Sequence, residues 1–309
     1  MDDKFQKITD LVANVMEAYT AALFIADPLG ENLALFRHSS LSKKIYSHCL
    51  LKSGDGLIGW VFLEQKKLLA SNFERDTTTL KIYKKDEKIK SLMALPLASR
   101  KGVLFVDSKK SYSFSEEKEK IFMQLADIAS TLIKDQEMIV ESFFMGKALT
   151  AFSRIEEYLR FNTEPDLSRV AAMFEDGFKL SHLFIVIPGL LVFSHINGSG
   201  AQKSISTTHA FEFYSADGLL GWCLKNRKKI IKKRISANKQ FLLKSDEEFG
   251  DINNFLGIPI INFGKKSGVL GVVRDKPMED GLPFQEDMWS SKEIDIMEKI
   301  GKMLLHNMT

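Results

Sequence analysis

The chain has very little cysteine. Cys49 and Cys223 are its two cysteines in 309 residues. That is too few for a disulfide framework, and it favours a reducing compartment. A long apolar run is also missing. The longest, Leu183 to Phe193, falls short of the roughly 20 residues of a transmembrane helix. Pro188-Gly189 interrupts it, a turn signal that makes it a hairpin of buried strands. The N-terminus, Met1-Asp2-Asp3-Lys4-Phe5-Gln6, lacks the basic and then apolar regions of a signal peptide. The expectation is a cytoplasmic chain with no membrane span. A charge excess is absent as well: the net charge of +3 gives no global electrostatic case for nucleic acid or membrane.

Catalytic signatures are equally scarce. There is no Gly-x-Ser-x-Gly, His-Glu-x-x-His or Cys-x-x-Cys. Gly264-Lys265-Lys266-Ser267 fails as a phosphate loop, because position 259 is proline and lysine follows Lys265 where Ser or Thr is required. His48 and Cys49 are adjacent, but neighbouring strand residues point to opposite faces, so Cys49 reads as an inert buried thiol. No catalytic residue and no metal site is expected.

What is present is a repeat. Asp55, Gly56, Leu57, Gly59, Trp60, Lys66 and Lys67 recur 162 residues later as Asp217, Gly218, Leu219, Gly221, Trp222, Lys228 and Lys229. So long a period means two copies of a whole domain, which agrees with the length. With 45% hydrophobic residues, each copy can bury a core of its own.

Phe5, Ile8, Val12, Val15, Met16 and Tyr19 fall at helical spacing over 3–20. Ala22–Ala26 and Leu33–Arg37 read as strands about an Asp27-Pro28-Leu29-Gly30 turn, and Ile45–Leu51 as a third strand. Residues 71–90 are polar and irregular. Leu92–Leu97 and Val103–Val106 form a second hairpin, with Pro96 at an edge or bulge because proline cannot donate to the ladder. Ser115 caps a long helix with acids in its first turn. Residues 121, 125, 128 and 132 keep a bundle-seam rhythm, and helical pattern continues to Leu159 past Gly146. The second half repeats this order: a helix over Leu167–Leu180, a hairpin over 183–187 and 190–196, the motif, an irregular stretch at 236–253, a hairpin and a last helix from Trp289-Ser290. An insertion at 276–288 is its own. Each half is thus an antiparallel sheet with flanking helices, an α+β layout.

This order, with Asp-Gly-Leu-x-Gly-Trp, the Leu-x-x-Pro-Leu strand, Gly102-Val103-Leu104 and Phe114-Ser115-Glu116-Glu117, resembles a GAF domain over residues 5–135. It does so with more departures over about 165–306. The resemblance implies two GAF (PAS-like) domains, at 1–137 and 163–309, joined by a long helix whose 138–162 stretch is the connector. It implies modules that bind a small molecule or hold a partner. Sulfoxide-reducing GAF domains need several cysteines in one domain, whereas each half here has one. The bilin-attaching cysteine of the family falls elsewhere in the fold. Tyr83, Asp86 and Glu87 only partly imitate the cyclic-nucleotide pattern of Asn-Lys-Phe-Asp-Glu, so the cofactor stays unknown. In the family the pocket lies between the sheet and the irregular segment. The candidate lining is therefore Phe73, Arg75, Asp76 and Tyr83 in the first copy, and Asn238, Phe241, Asp246 and Phe249 in the second.

The shared motif itself reads as scaffold. Asp55 or Asp217 caps the following helix, Gly59 and Gly221 permit close approach, and Trp60 and Trp222 bury apolar surface. The basic run 225–234 reads as a solvated helix end plus an edge strand whose lysines discourage pairing. The expected function is a non-catalytic sensor, a homodimer through helices 3–20 and 115–162, signalling to a separate output protein. The alternatives are a redox-type enzyme using the same pocket and a purely structural dimerisation module. No nucleic-acid partner is expected.

Overall fold

The computed structural model describes residues 3–307 apart from 47, 163, 188–189, 197–201, 210–217, 233–253, 262–266, 275–281 and 284–288. The chain divides into two compact units, Met1–Met138 with Asp280–Gln285, and Ile139–Glu279 with Glu286–Thr309.

Unit 1 opens with α1 (Lys4–Met16), whose N-cap Asp3 accepts hydrogen bonds from the backbone N–H groups of Phe5 and Gln6. The helix stops short of the expected residue 20. Glu17 turns into the left-handed region at φ 52°, and Thr20 already begins a strand. The strands are β1 (Thr20–Ala26), β2 (Asn32–Ser40), β3 (Leu50–Lys52), β4 (Leu68–Ala70), β5 (Ser91–Pro96) and β6 (Gly102–Ser108), with α2 (Gly56–Glu64) before β4. They form one antiparallel sheet in the order β3-β2-β1-β6-β5-β4.

Strand alternation divides the core of unit 1. Ala21, Leu23, Ile25, Leu104 and Val106 face α1 and the start of α3 (Glu116–Phe161). Ala22, Phe24, Val103 and Phe105 face α2 and the 73–89 segment. Pro96 pairs with Val103, but β4 reaches along β5 only from Leu92 to Ala94. The proline therefore sits where β5 has no neighbour on its other side.

Further expectations are corrected in unit 1. The strand expected at 45–51 is mostly loop: Ile45 makes one isolated bridge, to Tyr83, and the ladder starts at Leu50. Asp55 stands at the N-cap of α2 without a side-chain cap; an ion pair with Lys81 engages its carboxylate instead. Trp60 is 38% exposed and its repeat Trp222 43%. The inward stripe of α2 is Ile58, Val61 and Phe62, so a residue three after Leu57 falls on the flank. Gly59 behaves as expected: a Cβ on it would lie 2.6 Å from the Lys52 carbonyl oxygen, so only glycine lets α2 approach β3 this closely.

In α3, Phe122, Leu125, Ala126, Ala129 and Ile133 face the unit 1 core, whereas Ile121 and Ile128 are exposed. The expected seam of 121, 125, 128 and 132 is thus split, because Leu125 turns inward. The helix continues through Gly146 without a break. Ala148, Ala151, Ile155 and Leu159 belong to the core of unit 2.

Unit 2 continues with α4 (Leu167–Phe178), β7 (His182–Ile187), β8 (Leu190–Ile196), β9 (Gln202–His209), α5 (Gly218–Asn226), β10 (Ile230–Lys232), β11 (Phe255–Ile261), β12 (Ser267–Val273) and α6 (Ser291–Asn307). Its strand order, β10-β11-β12-β7-β8-β9, matches that of unit 1 strand for strand. β9 is not foreseen by the pattern reading. In the basic run, α5 ends at Asn226 and β10 is the sheet's edge strand, while Lys229 pairs with Glu298 of α6 at 2.8 Å. Of the 276–288 insertion, only Leu282 and Pro283 are among the described residues.

Candidate functional site

Register creates the most unusual chemistry of unit 1. Thr20 opens β1 and pairs with Asp107 near the end of β6. Both side chains follow Ala22 and Phe105 onto the face that carries the 71–90 segment. That segment is held by its own turn chemistry. Asp76 accepts from the Thr78 N–H and hydroxyl over a 3-10 turn at Thr77–Leu80, and Asp86 accepts from the N–H and hydroxyl of Thr77. The Ile45 bridge then fixes Tyr83 over the end of the sheet.

Tyr83 is fully buried. Its hydroxyl donates to Asp107 Oδ2 at 2.6 Å and lies 2.5 Å from Thr20 Oγ1, which in turn meets Ser40 Oγ at 2.7 Å. Burial pushes the Asp107 carboxyl up to about 7, against the pull of the Tyr83 hydroxyl. Burial, and then the Asp107 charge beside it, raises the Tyr83 phenol far above its ordinary range. One turn on, Glu87 is also buried yet stays ionised. Burial opposes its charge, but hydrogen bonds from Tyr19, Ser42 and Lys109 and the charge of Lys44 outweigh it and hold the group down at about 2. Two carboxylates near each other are thus driven apart in acidity. One keeps its proton up to about pH 7, and the other stays ionised down to about pH 2. The arrangement can store a proton in a dry place and clamp the 71–90 segment; it offers no activated nucleophile.

The eight candidate residues are placed as follows. Phe73 and Tyr83 are buried in the same apolar cluster as Leu80, Ile82 and Ile89. Arg75 and Asp76 are exposed on the turn. Asn238, Phe241, Asp246 and Phe249 lie outside the described residues. Pattern reading missed Asp107 and Thr20, and met Glu87 only within an incomplete cyclic-nucleotide pattern. The signal for Asp107 was available: an acid directly after Val103-Leu104-Phe105-Val106, four residues that strand burial claims.

Unit 2 has no such acid at this position. His182 pairs with Val273 as Thr20 pairs with Asp107. A buried charge sits one residue later. Arg274, beyond β12, donates to Glu293 Oε1 at 2.8 Å and to the Phe178 carbonyl at 3.0 Å, and lies 4.2 Å from the Trp289 ring centroid. Glu293 also accepts from the Ser290 N–H while Ser290 Oγ accepts from the Glu293 N–H, a reciprocal capping box for α6. Both thiols are poor nucleophiles: burial pushes Cys49 up to about 11 and Cys223 to about 12. Among the described residues no group of three His, Cys, Asp or Glu could hold a metal ion, and no helix is long and apolar enough to cross a membrane.

The model of one protein family, described as GAF domain, matches residues 1–134. No curated protein matches the chain. Among solved structures, the bacteriophytochrome RpBphP3 from the photosynthetic bacterium R. palustris covers 98% of this chain and 70% of its own, with 10% identity and a TM-score of 0.59. The GAF domain from an Acinetobacter phosphoenolpyruvate-protein phosphotransferase covers 45% of this chain and 85% of its own, at 22% identity and a TM-score of 0.37. A type II free methionine-R-sulfoxide reductase from Thermoplasma acidophilum covers 42% and 89%, at 19% and 0.35. At 10% identity the likeness to the bacteriophytochrome bears on fold alone. The family match, the curled antiparallel sheet with α2 and the 71–90 segment on one face, and the glycine contacts of the Asp-Gly-Leu-x-Gly-Trp motif agree: residues 1–134 are a GAF domain.

Proposed function

We propose that the chain is a non-catalytic sensory protein built from two GAF domains, in which a small molecule or protein partner biases helix packing in a homodimer and a separate protein reads the change. The observation that carries the reading is the strand order of unit 2, which repeats that of unit 1 although the two halves hold different buried polar groups. A copied scaffold with changed interior chemistry fits two sites of different specificity. The absence of catalysis is supported by the two buried, weakly acidic thiols. The experiment is native mass spectrometry of protein purified from its own host, with thermal-shift screening against that host's metabolite pool. A retained small molecule, or a shift of several degrees, is expected. No retained mass and no shift would leave only a structural dimerisation module.

The dimer part of the reading rests on exposed apolar side chains of unit 1. Leu11 and Val15 lie four apart on α1, and Ile121 and Ile128 seven apart on α3. These are helical and heptad spacings. Light scattering at micromolar concentration is expected to give twice the chain mass of 35.0 kDa. The double substitution Leu11→Ser with Ile128→Asp is expected to give the monomer, because a buried carboxylate without a partner opposes association. A wild-type monomer would sink the dimer reading.

A further inference from the structure

One end of the unit 1 sheet concentrates basic charge and exposed apolar side chains. Thr20, Ser40, Ser91 and Ser108 mark that end in register. From it emerge the loop 41–46, the segment 81–90 and residues 109–112. Glu87 ties them together through Tyr19, Ser42, Lys44 and Lys109. Lys84 donates its N–H to the Lys44 carbonyl at 2.8 Å, and its ammonium lies 5.8 Å from the centroid of the Tyr46 ring. Lys43, Lys44, Lys84, Lys85, Lys88, Lys90, Lys109 and Lys110 are all exposed. Against these eight stand Asp86, which accepts from Thr77, and the buried Glu87. With Lys81 of the same segment set against its ion-pair partner Asp55, the local net charge of +6 is twice the +3 of the whole chain. The remainder of the sequence is therefore net negative. Amid these lysines Leu41 is 78% exposed and Tyr46 43%, with Tyr112 at 76% beyond them.

Charge complementarity selects an anionic partner, and the side-chain types select its class. The patch contains no arginine, whose planar fork is the usual reader of bases and bidentate phosphate. A protruding leucine has no base to stack on. Lysine stems around an exposed leucine and tyrosine suit a bilayer boundary, where the ammonium reaches headgroup phosphate and the apolar tip enters the acyl layer. We propose that this end of the GAF domain is a peripheral docking surface for an anionic lipid bilayer, with Leu41 and Tyr46 entering the interface and the eight lysines over the headgroups. The proposal goes beyond the sensor reading and does not depend on it.

The test is co-sedimentation of the full chain with phosphatidylcholine vesicles containing about 30 mol% phosphatidylserine. Binding is expected to the mixed vesicles, to fall steeply with added salt, and to be absent from pure phosphatidylcholine. Lys84→Glu with Lys85→Glu is expected to weaken it about 25-fold or more. Leu41→Ser is expected to weaken it about fivefold to tenfold. An unchanged thermal midpoint establishes that each variant is folded. No binding to the mixed vesicles, or equal binding to neutral ones, overturns the proposal. So does tighter binding to single-stranded DNA or heparin that Leu41→Ser leaves unchanged, since that outcome belongs to a polyanion-binding surface.

Discussion

Arg274→Met is expected to lower the stability of unit 2 by about 3–5 kcal/mol. Arg274 and Glu293 are both nearly fully buried. Removing the guanidinium strands a carboxylate that also serves as the N3 member of the α6 capping box. It also removes the donor to the Phe178 carbonyl and the cation stacked on Trp289. Denaturant unfolding followed by tryptophan fluorescence measures the loss, since Trp289 lies against the altered side chain. The double substitution Arg274→Met with Glu293→Met is expected to recover most of it. Two apolar side chains of similar volume need no counter-charge; the cap, worth about 1 kcal/mol, stays lost, as do the donor to the Phe178 carbonyl and the cation on Trp289. A single substitution costing under about 1 kcal/mol would mean that the pair is solvated and not structural.

The second large effect is a pH window in unit 1. The Asp107 carboxyl titrates near 3.8 when free of the fold and is pushed up to about 7 within it. Between those values the folded state holds a proton that the unfolded chain has lost. Stability is therefore expected to fall as pH rises from about 4 to about 7, by about 4 kcal/mol for this group alone, and to level off above. Asp107→Asn keeps an oxygen for the Tyr83 hydroxyl and cannot ionise, so its profile is expected to lack that slope. Glu87 works in the opposite sense and in another window. Its carboxyl is held down at about 2 against 4.5, so its contribution is present above about 4.5 and lost as pH falls toward 2. The measurement is a pH series of unfolding curves for wild type and Asp107→Asn. Parallel curves between pH 4 and 7 would show that Asp107 is ionised throughout. The groups facing it are Tyr83 from the segment, Thr20 from β1, and Glu87 and Lys109 at the sheet end.

Much of this fold is legible in the chain because strand alternation and glycine placement are local. Ala22 to Ala26 and Val103 to Val106 announce both strands and which residues share a face. Gly59 announces a close approach whose partner, Lys52, only the structure names. The errors arise where tertiary contacts decide what local pattern cannot. Periodicity cannot tell which of two adjacent helix faces turns inward, so Trp60 reads as core when Ile58, Val61 and Phe62 already fill that side. Ile45 to Leu51 looks extended, but the 81–90 segment takes its first pairing position through Tyr83. The site itself was half legible. The sequence reads Tyr83 as pocket lining, and the structure adds that its hydroxyl bonds Asp107 and Thr20. Asp107 went unread because its significance depends on Thr20 and Tyr83, 87 and 24 residues away in the chain.

The helix ends record the repeat in another medium. Glu17 closes α1 at φ 52° and Lys179 closes α4 at 49°. Gln65 and Arg227, after α2 and α5, both stand at 53°. Each pair is 162 positions apart, the offset of the Gly56 and Gly218 turn, where both glycines lie at 64°. Side chains other than glycine seldom adopt this torsion. Yet the residues at these sites differ in kind and even in sign of charge. What the two halves have kept in common here is a backbone angle, not an amino acid. A comparison scored by residue identity counts Glu17 against Lys179 as a loss, whereas one scored by torsion counts it as a match. Distant kin of the second half are therefore better sought by the shape of the main chain at its helix ends than by the letters written there.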